Sequence, residues 1–73
     1  MDRNQITLAI ARRVNLAISE AGSDVHSVAQ AADIATLEFE NRLSGRVDFE
    51  LGLLVSVGGF LHVPVTRFME EAA

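Results

Sequence analysis

The sequence predicts a compact all-α domain of five short helices, and three observations lead there. Apolar residues recur at three- and four-residue spacing along most of the chain. No stretch sustains the alternation of a strand, the brief run at Val55–Val57 included. Residues that stop helices punctuate the pattern at Gly22, Asp33, Gly45 and Pro64. Seventy-three residues make a single domain, residues 1–73. A chain this short hides only ~60% of the surface that its unfolded form exposes, so its core must be dense or shared with a partner. An apolar content of 49% and a mean hydropathy of +0.27 exclude a disordered chain.

The first helix is expected over residues 4–21. Ile6, Ile10, Val14, Ala17 and Ala21 form its inner stripe, while Arg12, Arg13 and Ser19 face outward, and Ile18 is expected on the exposed side near its end. Gly22 stops it, because a residue without a Cβ enters the left-handed region at little cost. Ser23 or Asp24 caps a second helix over residues 25–32, with Val28, Ala29 and Ala32 inward. Asp33, Ile34 and Ala35 form a turn, Asp33 being a residue that tolerates turn geometry. The third helix covers residues 36–43, with Leu37, Phe39 and Leu43 as its apolar positions and Gly45 beyond its end. Asp48 is read as the N-cap of a fourth helix whose inner side is Leu51, Leu54, Val57, Gly58 and Leu61. Pro64 closes that helix, since the residue before a proline avoids the helical region, and opens a fifth over residues 65–71.

Composition narrows the function classes. With no cysteine, neither a disulfide framework nor a thiolate metal site is available. His26 and His62 are far apart and lack carboxylates at ligand spacing, so no metal and no cofactor is expected. His26 reads as a solvated residue of the second helix, and His62 as a residue of a helix C-terminal turn. No side chains pair a nucleophile with a base, and Gly58-Gly59 lies inside a helix rather than in a phosphate-binding loop, which points away from an enzyme. The longest apolar stretch, residues 51–57, is too short to span a bilayer. Without a cleavable apolar run near Asp2 and Arg3, a cytoplasmic protein is expected. All six basic residues are arginine and the net charge is −4, which argues against strong non-specific nucleic-acid binding.

The second and third helices, about residues 25–43, are joined by about three residues, as in a helix-turn-helix unit. Together, ARRVNLAISEAG, VHSVAQAADI, TLEFENRLSGR and DFELGLLVSVGGFLHVPV resemble the lambda-repressor/Cro-like helix-turn-helix family, in particular the short regulators of actinobacteria and their phages. The resemblance covers nearly the whole chain. It implies a five-helix lambda-repressor-like domain and a sequence-specific transcription regulator. Such a regulator, Cro- or immunity-repressor-like, binds double-stranded DNA and acts by occupying an operator, in the host cytoplasm if phage-encoded. No membrane or small-molecule ligand is implied. On this reading Thr36, Leu37, Glu38 and Asn41 face the major groove, with Arg42 and Arg46 on phosphates. The bland account of Arg42 is a surface pair with Glu38 one turn away. Arg12 and Arg13 are either a second phosphate contact or simply the polar face of the first helix.

The fourth helix is apolar over more than one stripe, and such helices are normally covered on several sides. Either the short fifth helix covers it with Phe68 and Met69 or a partner does. Leu53, Val55, Gly59, Phe60 and, from the fifth helix, Phe68 are placed at a homodimer or protein-partner interface, because large exposed apolar patches on monomers are uncommon. Gly58 stands where a small residue permits close packing, whereas Gly59 faces the other way. A second functional reading, from a different class, is a protein-interaction module on the same scaffold with weak or no DNA binding. It would bind a host protein, a repressor or a toxin partner.

Overall fold

The computed structural model describes the backbone of residues 3–69 and the side chains of residues 5–69. Over that span the chain forms α1 (Arg3–Glu20), α2 (Val25–Ala31), α3 (Thr36–Leu43), α4 (Leu51–Leu61) and α5 (Val65–Met69), with no strand among the described residues. The first four helices end in one way. A residue in the left-handed region follows each of them: Gly22, Asp33, Gly45 and His62, at φ +68°, +58°, +84° and +61°. The next N–H then donates back across the last turn: Ser23 to the Ile18 carbonyl (3.1 Å), Ile34 to Ala29 (3.0 Å), Arg46 to Asn41 (3.0 Å) and Val63 to Gly58 (2.8 Å). These bonds satisfy carbonyls that a helix end otherwise leaves open. They also reverse the chain within a few residues.

The reversals gather one core. α1 packs on α3 and α5, α2 on α3 and α4, and α4 on α5. Ile10, Val14, Ala17 and Ile18 of α1 meet Val28 and Ala29 of α2, Phe39 of α3, Leu54, Val57 and Leu61 of α4, and Phe68 of α5. Phe49, in the loop before α4, sets its ring edge-on to Phe39 with centroids 6.2 Å apart, a favoured aromatic geometry. The radius of gyration, 11.0 Å, is close to the ~11 Å expected of a single domain this long. No helix among the described residues is long and apolar enough to cross a membrane.

Several expectations need correction. Asp48 does not cap α4. It accepts a hydrogen bond from the Thr7 hydroxyl of α1, so it ties the loop to α1, and Glu50 occupies the N-cap position without capping the helix through its side chain. Ile18 is buried, because the turn closed by Ser23 folds the chain back beside it. Leu51 is exposed: its spacing suits the inner stripe, but α4 is covered only from Leu53 onward. Leu37, counted among the apolar positions of α3, lies on the open side of that helix, and Ala21 at the end of α1 is exposed too. The expected last residues of the fifth helix, Glu70 and Glu71, lie outside the described residues.

Two predictions follow from helix packing and capping. A Cβ on Gly58 would overlap the Val63 carbonyl and touch the Phe68 ring, whereas a Cβ on Gly59 meets nothing within 4 Å. In dilute urea unfolding, Gly58→Ala should cost about 1–3 kcal/mol, and Gly59→Ala should add up to about 1 kcal/mol. Equal effects would contradict this packing. The second prediction concerns Asp24, which caps α2 by accepting from the Ser27 N–H at 2.8 Å. That bond, helped by the Ser27 hydroxyl, holds the Asp24 carboxyl below the usual carboxylate range. A carboxyl that ionises more readily folded than unfolded stabilises the fold above its unfolded pKa of ~3.9 and loses that contribution as pH falls through the lowered value. Asp24→Ala should therefore lower the melting temperature at pH 7, and the gap from wild type should close in strong acid. A gap independent of pH would show that the charged cap is not responsible.

Candidate functional site

α2, its turn and α3 bring most of the sequence-predicted site residues together. The turn is set by Asp33, whose N–H donates to the Gln30 carbonyl (3.1 Å) while Ile34 donates to Ala29. Ile34 is partly buried and packs against the core, which fixes the angle at which α3 leaves the turn. Phe39, fully buried, anchors α3 by one side. The opposite side is open. There Leu37 is the most exposed large apolar residue described, at 69%, and Glu40 and Ser44 are exposed beside it, with Asn41 half-buried at the edge. Glu38 lies nearer α4. Thr36 is half-buried, and its hydroxyl shares a 2.9 Å hydrogen bond with His26 Nδ1. His26 is exposed, as expected, but it links the first turns of α2 and α3.

Arg42 is placed differently from either expectation. Its Nε and Nη2 both reach Glu50 Oε1, at 3.0 and 2.9 Å, and its Nη1 donates to the Glu38 main-chain carbonyl at 2.9 Å. Its partner is thus neither a phosphate-facing solvent shell nor the Glu38 carboxylate. Only 14% of the Arg42 side chain is exposed, against 68% for Glu50. The pair sits in an open groove of about 350 Å³ between the turn, α3 and α4, where Asp33 and Glu38 supply two further carboxylates. Three acids and one arginine already engaged make this groove repel phosphate.

The remaining arginines differ in their surroundings. Arg12 and Arg46 are exposed. Arg13 is half-buried and donates to the Arg67 carbonyl at 3.1 Å, so it secures α5 against α1 beside a different groove. The expected interface residues also divide. Val55, Gly59 and Phe60 are exposed, Leu53 is partly buried against the core, and Phe68 is a core residue at 1% exposure. Phe68 is therefore unavailable to a partner. Its position in α5 turns it under α4, where its ring lies near Gly58.

Sequence reasoning missed Glu50 as the partner of Arg42, and Asn15, whose side-chain amide donates to the Leu43 carbonyl at 3.1 Å and to Ala11 at 3.0 Å. Helical spacing carries no signal for the Arg42–Glu50 or the Asn15–Leu43 contact, since each joins different elements. Comparison with known proteins finds no matching family model, no matching curated protein and no matching solved structure.

The Arg42–Glu50 pair yields a stability prediction. Because Glu50 is mostly solvated, a double-mutant cycle should give a coupling of only about 0.2–1 kcal/mol. Arg42→Ala should cost more than Glu50→Ala, since it also removes the bond to the Glu38 carbonyl and the packing of a covered side chain. Equal single-variant losses would remove that distinction.

Proposed function

We propose that the chain is a sequence-specific DNA-binding transcription regulator of the lambda-repressor-like helix-turn-helix kind, acting by occupancy of an operator and without a cofactor. The observation that carries this reading is the α2–turn–α3 unit, with α3 anchored by Phe39 and its opposite side uncovered. A helix held this way enters a major groove without rearrangement. Leu37 suits a thymine methyl and Asn41 an adenine edge, while Glu38 or Glu40 suits a cytosine amino group. Arg46, just past α3, and Arg12 serve phosphates. Arg42 serves none while Glu50 holds it, and the net charge of −4 leaves little non-specific attraction. Binding then rests on base contacts to an unusual degree, with a shallow salt dependence for a DNA-binding protein.

A second reading, a protein-interaction module on the same scaffold, is favoured by the acidic groove around Arg42, which suits a basic protein segment better than a nucleic acid.

Mobility shift on fragments from the gene's own locus separates the two. DNA binding at low salt is the expected outcome, and absence of any shift there rejects the regulator. Given binding, Arg46→Ala should weaken all sequences alike and reduce the salt slope by about one. Asn41→Ala should change the preference among sequences. Glu50→Gln, which frees Arg42 and removes a carboxylate, should tighten binding.

A further inference from the structure

One hydrogen bond joins the first turns of α2 and α3, and its direction has a consequence for what α3 presents. His26 Nδ1 and the Thr36 hydroxyl stand 2.9 Å apart. The bond couples a side chain that gains and loses a proton to the first residue of the helix whose outward side is open. Thr36, Glu40 and Ser44 succeed one another at four-residue spacing along that side; Thr36 is half-buried and the other two are exposed. Two carboxylates lie near the pair. On α2 it is Asp24, which interacts with the His26 charge but is committed to the Ser27 N–H and hydroxyl. Its carboxyl is held below the usual range, so its charge is constant where histidines titrate. On α3 it is Glu40, one turn beyond Thr36.

A hydroxyl has one proton and two lone pairs, so its role toward Nδ1 decides what remains for a ligand. With the imidazole neutral and its proton on Nε2, Nδ1 accepts. Thr36 then spends its only proton on the ring and offers lone pairs outward. With the ring protonated on both nitrogens, Nδ1 donates, Thr36 accepts, and the hydroxyl proton is free to face outward. We infer that His26 sets through this bond whether Thr36 reads a donor or an acceptor on a base edge. His26 is thus a positioning residue for sequence preference, acting without touching the base. The inference rests on the DNA-binding reading proposed above. In the major groove cytosine offers an amino donor and guanine offers two acceptors. Neutral His26 therefore favours cytosine opposite Thr36, and protonated His26 favours guanine. Histidine side chains change charge between about pH 5 and 8, so the preference at one base pair moves with pH.

The test uses the full chain and the fragment of its own locus that it shifts, with each C·G pair inverted in turn. Affinities are compared at about pH 8 and about pH 5.5, with helical circular dichroism checked at both. At one position the preference for cytosine over guanine should fall at least about fivefold on acidification, the size of one hydrogen bond gained or lost. His26→Gln, which does not titrate, and Thr36→Val, which has no hydroxyl, should each make that preference independent of pH. Thr36→Ser should keep the change, and so should His62→Gln, which replaces the other histidine, at the end of α4. A gain in affinity shared by all sequences at low pH, with no position changing its preference, would show only that the imidazolium adds charge and would overturn the inference. So would a preference that moves equally in Thr36→Val. Binding with a preference independent of pH rejects this inference alone, whereas no binding to any fragment at either pH rejects the regulator and the inference together.

Discussion

The fold depends on one local device, the left-handed residue that closes each of the first four helices. Between the end of α1 and the start of α5 the chain must reverse four times, with little length for loops. At Gly22, Asp33, Gly45 and His62 it does so by adopting a positive φ and sending the next N–H back across the last turn. Two of the four positions are glycine, where the conformation is cheap. The other two, Asp33 and His62, carry a Cβ and hold a conformation that disfavours side chains, sustained by the packing that the turns themselves create. Ile34 illustrates this coupling: the bond from its N–H closes α2 while its side chain packs against the core.

The same turns determine what α3 can do. Asp33 sets its departure, Phe39 pins one side, and Asn15 of α1 holds the Leu43 carbonyl at its end. The helix is thereby fixed at both ends, and its outward side is left open. Electrostatics then divides that side. Towards α4, Glu38 and Glu50 surround an arginine that is already paired, a region hostile to phosphate. Away from α4, Leu37, Ser44 and Asn41 present a nearly neutral strip with Glu40 at its border. Glu38 and Glu40 therefore flank the exposed strip rather than fill it.

Much of this was legible in the sequence because it is local. Helix spacing, Gly22, the turn at Asp33, the cap at Asp24 and the break at Pro64 all act within a few residues, and each lies where the spacing predicts. Contacts between elements were not legible. The resemblance puts Arg42 on a phosphate and helical spacing puts it beside Glu38, because spacing offers only neighbours on its own helix, whereas its partner Glu50 comes from beyond a loop. Asp48 has the chemistry of a cap, and only the position of Thr7 reveals its actual use. Phe68 reads either as a cover for α4 or as part of a partner interface, because α5 is too short for its periodicity to distinguish the covered side; it is the cover. Leu51 reads as covered and is exposed, since spacing places a residue on a side of its helix but does not say how far a neighbour extends over it.

The central proposal is that the uncovered side of α3 contacts DNA. Backbone amide shifts of the isotopically labelled chain, followed during titration with a fragment of its own locus at low salt, test this most directly. The account predicts perturbations concentrated in residues 36–46, strongest around Leu37, Asn41 and Arg46, with Asp33 and Gly52 in the acidic groove little changed. Perturbations centred on that groove, with α3 unmoved, would contradict it.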